Sequence, residues 1–156
     1  MEITNIHNLS EYEKKLIEVA RAARKNAVPP VSNYQVGAAV LTASGKIFPG
    51  ANIEDAGLNS TVHAEVSAIS AANAAGSKNI RTLAVCGGDS GSEVFLMPCL
   101  HCWQFICNFT EVIGNEIKII GVHSEGDGCS IGSTNDGSPD FLGWRAIGAD
   151  LDRWRK

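Results

Sequence analysis

Two short stretches, His63-Ala64-Glu65 and Pro98-Cys99-Leu100-His101-Cys102, constrain this 156-residue chain more than anything else in it. They carry three good metal ligands on segments far apart in sequence, so a fold that uses them must bring two separate elements to one point. Cys99 and Cys102 stand at i and i+3, which on a helix puts both sulfurs on one face, each able to reach an ion at about 2.3 Å. In a first helical turn they also meet unpaired backbone N–H groups and the positive end of the helix dipole, which favour thiolates. His63 at the start of a second helix adds a ligand from an independent rigid element and leaves a fourth tetrahedral position open for water. The ion such a set suits is zinc, which can bring the pKa of bound water to roughly 7. Glu65 then stands near the ion without binding it, free for general acid and base work.

The bland alternatives are a closed structural zinc site, with His101 or another Cys as fourth ligand, and plain core packing of the cysteines. His101 lies between the two cysteines, so on a helix it points about 100 to 200 degrees away from each. Cys86, Cys107 and Cys129 have no partner at metal spacing, and the first two read as small buried hydrophobes. An odd total of five Cys disfavours a disulfide framework and fits a reduced, intracellular chain.

Around these stretches the pattern alternates helices and strands. Ser10 and Glu13 have the spacing of a capping box, followed by apolar residues at helical steps, which predicts a helix over residues 10–27. Pro29 and Pro30 end it. Residues 36–42 and 46–53 read as a hairpin about Ser44-Gly45. Further expectations are helices over 61–75 and from 99 to about 109, and buried strands over 82–86 and 117–122. The Gly-, Ser- and Asp-rich stretch 123–140 is long for a loop inside a compact domain and holds either a short strand or a functional lid. Residues 141–156 are compatible with a terminal helix. With neither repeat nor linker, residues 1–156 read as one domain, and the alternation points to a layered α/β sandwich.

A net charge of −4 weighs against a nucleic-acid partner, which needs clustered Lys and Arg to meet phosphates. Neither a signal peptide nor a bilayer-length apolar stretch is visible, so no membrane partner and a cytoplasmic location are expected.

The sequence resembles the cytidine deaminase family over residues 31–109. The likeness rests on Ser32-Asn33-Tyr34-Gln35-Val36-Gly37-Ala38-Ala39, Gly50-Ala51-Asn52-Ile53-Glu54, Thr61-Val62-His63-Ala64-Glu65, and residues 98–102 with Gln104-Phe105. His-x-Glu with Pro-Cys-x-x-Cys is the zinc deaminase pattern. The resemblance implies a three-layer α/β/α sandwich with a central mixed sheet. It implies zinc held by His63, Cys99 and Cys102, and Glu65 as the catalytic proton carrier of a hydrolytic deamination. It further implies that Asn52 and Glu54 hold a sugar hydroxyl, that Tyr34 contacts the base, and that the Ala64 N–H binds the pyrimidine carbonyl. The substrate would be cytidine, deoxycytidine or a related free pyrimidine nucleoside. Short members are homotetramers that complete one another's pockets, which implies a homo-oligomer, with a tetramer ahead of a dimer and Phe141 or Trp144 in reach of that role.

Read without the family, Asn52 and Glu54 alternate on one strand face that could simply be solvated. Tyr34 could be a core aromatic with its hydroxyl at the surface. The sequence also departs from the short members of the family. They carry Cys where His63 stands and Arg where Val66 stands. Three thiolates leave zinc with net negative charge that an Arg offsets, whereas His and two thiolates leave it neutral, so the two changes are coherent. They bring the chain closer to the larger, dimeric members, although it has room for only one of their two domains. Leu100 replaces a usual Gly, Trp103 a usual Arg and Asp55 a frequent Asn. These departures keep two rivals in play: deamination of a modified nucleoside, nucleoside antibiotic or free base, and a catalytically silent zinc-stabilised assembly module.

Overall fold

The computed structural model describes residues 2–88 and 97–135. Its elements run β1 (Glu2–Asn5), α1 (Glu11–Arg24), β2 (Val36–Thr42), β3 (Ile47–Ala51), α2 (Ala64–Ala74), β4 (Ile80–Gly87), α3 (Leu100–Ile113), β5 (Lys118–Val122) and β6 (Gly128–Ser133), with a short 3-10 turn at Ile6–Asn8. The strands form one sheet in the order β1-β6-β5-β4-β2-β3. Among the described strands β4 and β5 pair in parallel and the other neighbours are antiparallel, so the sheet is mixed. A parallel pair needs a crossover, and α3 supplies it.

Period-two alternation along the inner strands sorts their apolar side chains onto two faces. Ala38 and Val40 of β2, Leu83 and Val85 of β4 and Ile119 of β5 point to one side, where they pack with Ala64, Ala68, Ile69 and Ala72 of α2 and Ile106 of α3. Ala39, Ala84, Cys86, Ile120 and Val122 point to the other, against Leu16, Ile17 and Ala20 of α1. Among the described residues, one helix covers one face and two cover the other. This is the expected three-layer α/β/α sandwich with a central mixed sheet.

Helix approach is close enough that two strand positions must be glycine. A Cβ on Gly37 would lie 2.2 Å from the Ala20 carbonyl oxygen, and one on Gly50 would lie 2.3 Å from the Ala68 nitrogen. Both contacts are to helix backbone, which cannot swing aside.

Several boundaries differ from expectation. The first helix gains the foreseen capping box at Ser10 but ends at Arg24, and residues 25–27 close with i to i−3 bonds that tighten the last turn. The second helix starts at Ala64 instead of residue 61, because Val62 exchanges both backbone hydrogen bonds with Ile53. Stretch 123–140 does contain a strand, β6, which pairs with β5 and with the unforeseen β1. The expected helix over 141–156 lies outside the described residues.

Candidate active site

The three expected metal ligands meet where α2 and α3 begin. His63 is the N-cap of α2 and Cys99 the N-cap of α3, with Cys102 in the first turn behind it. Cys99 therefore precedes the helix, a correction to the placement of both cysteines inside it. The convergence is unaffected: one nitrogen and two sulfurs all lie within 4.8 Å of one another. Cys99 Sγ is 3.5 Å from His63 Nδ1. Tetrahedral bonds of about 2.3 Å to sulfur and 2.0 Å to nitrogen put two such donors roughly 3.5 Å apart. Donor chemistry and spacing both fit zinc. His101 stands beside the cluster, its ring centroid 5.1 Å from that of His63, but it is not one of the converging donors.

The charge behaviour of the protein groups at this cluster departs from what the helix end alone would give. Burial pushes the Cys102 thiol up, and neighbouring Glu65 and Cys99 push it further. Desolvation thus outweighs the dipole, and a cation is what would make a thiolate favourable there. Glu65 is only 5% exposed. Burial drives its carboxyl above the usual range, against the opposing pull of its own backbone N–H, a hydrogen bond with Cys102 and the charges of His63 and His101.

A cavity of about 400 Å³ opens over this cluster, a size ordinary for a small-molecule site. Its buried end is formed by Ala64, Glu65 and Val85 beside His63 and exposed Cys99, and its outer wall by Ser32, Tyr34, Glu54 and Leu58 together with buried Asn52. Every sequence-predicted site residue but the buried ligand Cys102 lines it. Ala64 is the first residue of α2, and a first-turn N–H of this kind has no partner within the helix. Tyr34 is 45% exposed, which removes the core-aromatic reading.

Asn52 and Glu54 follow β3 rather than lying on it, yet the backbone stays extended because Ile53 bridges to Val28 and Val62. Their side chains reach the same cavity, as alternation requires. Asn52 is buried, accepting the Val36 N–H at Oδ1 (2.8 Å) and donating from Nδ2 to the Tyr34 carbonyl (2.9 Å). Glu54 accepts the Ser32 hydroxyl and the Val31 and Ser32 N–H groups. The Ser32 bonds first, and then that from Val31, hold its carboxyl below the usual range.

Sequence reasoning did not assign roles to Ser32, Val36, Leu58, Thr61, Val85 or Met97, which also line the cavity. Ser32, Val36 and Thr61 sit inside the quoted stretches, and that was their only signal. Thr61 Oγ1 is buried with no hydrogen-bond partner among the described residues.

Comparison with known proteins matches the family described as "Cytidine and deoxycytidylate deaminase zinc-binding region" over residues 10–115. A probable cytidine deaminase of Dictyostelium discoideum is 35% identical over 102 residues, covering 65% of this chain and 67% of its own length. The cytidine deaminase of Shewanella halifaxensis is 36% identical over 121 residues, covering 76% of this chain but only 37% of the relative, so this chain spans little more than a third of that protein. Among solved structures, the cytidine deaminase from Burkholderia pseudomallei superposes with a TM-score of 0.72 at 32% identity, over 85% of this chain and 98% of that one.

Proposed function

The chain belongs to the cytidine and deoxycytidylate deaminase family, and from that premise we propose that it hydrolyses cytidine or deoxycytidine to the uridine-type nucleoside and ammonia. One observation carries the reading. A single cavity is lined at once by metal donors, by a buried unligated carboxylate and by an outer wall of Asn52, Glu54 and Tyr34.

His63, Cys99 and Cys102 would hold zinc, which when bound supplies a Lewis acid able to make water nucleophilic near neutral pH. Glu65 takes the proton from the attacking water on a carboxylate oxygen and passes it to the ring nitrogen as the water oxygen bonds to the amino-bearing carbon. It then takes the remaining proton of the new hydroxyl and delivers it to the amine, which leaves as ammonia while the carbonyl forms. Burial raises its carboxyl above the usual range, which makes it a readier proton carrier than an ordinary exposed carboxylate. The first N–H of α2, at Ala64, faces the pyrimidine carbonyl. Asn52 and Glu54 bind a sugar hydroxyl and Tyr34 borders the base. A silent assembly module is the weaker reading, since a structural zinc site has no use for a buried, unligated carboxylate beside its donors.

Among the described residues no helix is long and apolar enough to cross a membrane. We place the enzyme in the cytoplasm, in pyrimidine salvage, as a homo-oligomer. The odd cysteine count, which disfavours a disulfide framework, supports the compartment, and exposed Ile53, Leu58 and Val62 near the cavity support a partner subunit.

The test is ammonia release by the zinc-loaded protein across cytidine, deoxycytidine, cytosine, cytidine monophosphate and modified cytidines. Turnover of the two nucleosides well above cytosine supports the proposal. Equal turnover of free cytosine, or activity confined to a modified nucleoside, would replace it.

A further inference from the structure

The Ser32 hydroxyl joins the two halves of the outer wall. It donates to Glu54 Oε1 at 2.5 Å and accepts the Tyr34 N–H at 3.0 Å. The Val31 and Ser32 N–H groups both donate to Glu54 Oε2, each at 3.0 Å. A carboxylate oxygen has about two lone-pair directions, so Oε2 is fully used and Oε1 keeps one. Asn52 has given its oxygen to the Val36 N–H and one Nδ2 hydrogen to the Tyr34 carbonyl, which leaves one N–H. The wall therefore keeps one acceptor on Glu54 and one donor on Asn52, two residues that line the same cavity. That pair matches the two roles of a single hydroxyl.

Ser32 is exposed, so nothing in core packing requires it. Its hydroxyl instead adds a bond to Oε1 that complements the hold of the Val31 and Ser32 N–H groups on Oε2, and by accepting the Tyr34 N–H it couples the carboxylate's direction to the aromatic on the base side. Resting on the reading of Asn52 and Glu54 as the sugar wall, we infer that Ser32 is a positioning and specificity-determining residue. It aims Glu54 and leaves it room for one sugar hydroxyl. Ser32 touches no reacting atom, and its effect reaches the substrate only through Glu54 and Tyr34.

The experiment compares wild type, Ser32→Ala, Ser32→Thr and Glu54→Ala on deoxycytidine and on 2′,3′-dideoxycytidine, which offers the wall no ring-carbon hydroxyl. Ser32→Ala should lower kcat/KM for deoxycytidine about 10- to 100-fold, mainly through KM, the range for losing a hydrogen bond to a charged group. It should leave dideoxycytidine nearly unchanged. Ser32→Thr keeps the hydroxyl and should restore the wild-type pattern. An equal loss on both substrates would mean that Ser32 only supports the loop, and wild-type behaviour in Ser32→Ala would mean that it positions nothing; either overturns the inference. If Glu54→Ala also treats the two substrates alike, the sugar-wall reading itself has failed, an outcome distinct from failure of the Ser32 role.

Discussion

Two carboxylates share one cavity and are driven in opposite directions by what surrounds them. Glu65, buried at the start of α2, is pushed up by desolvation, whereas Glu54 is held down by three donors on the loop before β2. The first is suited to carry protons and the second to stay ionised and accept a hydrogen bond, a division of labour set by environment rather than residue type. Glu65→Gln should therefore keep zinc, since Glu65 is not a ligand, and lose about 100- to 10,000-fold in turnover. Elemental analysis and ammonia release on the same preparation check both halves. Loss of the metal would make Glu65 structural, and near-normal turnover would remove it as the proton carrier. The convergence of the metal donors was legible at the residue scale because metal ligands are few and their spacing is restrictive. What spacing left hidden was that His63 and Cys99 are caps rather than helix residues, and that burial, not the helix end, dominates the bare Cys102 thiol.

Among the elements, α2 is the one whose position matters most, since it carries His63, Ala64 and Glu65 and presses directly on Gly50. Gly50→Ala would set a Cβ 2.4 Å from the Ala64 carbonyl oxygen as well as against Ala68. Overpacking of this kind costs about 1–3 kcal/mol, and a displacement of about 1 Å near reacting groups can cost roughly 100-fold in rate. Gly37→Ala makes an equally tight contact with α1, on the face away from the zinc donors. Both variants should melt earlier, but Gly50→Ala should lose far more kcat/KM than Gly37→Ala, and equal losses would show that α2 placement is not what sets the site. On α1, Glu13 closes the capping box with Ser10 and pairs with Lys118 of β5 at 2.6 Å. Burial raises its carboxyl, but the bonds from Lys118 and Ser10 outweigh this and leave it below its ordinary value. A depressed carboxyl stabilises fully above its unfolded pKa of about 4.3 and loses that contribution as pH falls through the folded value. Glu13→Gln should thus cost about 1 kcal/mol in denaturant unfolding at pH 7, shrinking as the pH is taken toward 3; a penalty independent of pH would rule out the ionic origin. These contacts also show why the sheet was only partly readable. The inner strands β2, β4 and β5 announce themselves by apolar runs. In contrast, β6 reads Gly-Cys-Ser-Ile-Gly-Ser and β1 is short and largely exposed, so their pairing is set by the edges they cover rather than by a pattern of their own.

At the scale of the whole molecule, the metal donors tie the starts of two helices that pack on the same face of the sheet. An ion there is a cross-link between segments 36 residues apart in sequence, and a ligand that binds only the folded chain stabilises it by mass action, about 4 kcal/mol at a thousandfold excess over its dissociation constant. For a chain of this length that corresponds to a rise of roughly 10 °C in melting temperature. Stripping zinc with a chelator should lower the Tm by about this amount and re-addition should restore it, with no response in Cys102→Ser. The pH dependence has a definite sign. Bound thiols must give up their protons, so zinc stabilisation weakens as pH falls. In the stripped protein, burial raises the thiol of Cys102, a zinc donor, above its ordinary value. Above about pH 8.5 the unfolded chain releases that proton while the stripped folded one retains it, a loss of stability with rising pH that zinc removes by holding the thiolate. The Tm gap between loaded and stripped protein should therefore widen from pH 6 to pH 9. A gap that narrows over that range, or a Cys102→Ser variant that still responds to zinc, would mean that the ion binds somewhere other than the cluster of His63, Cys99 and Cys102.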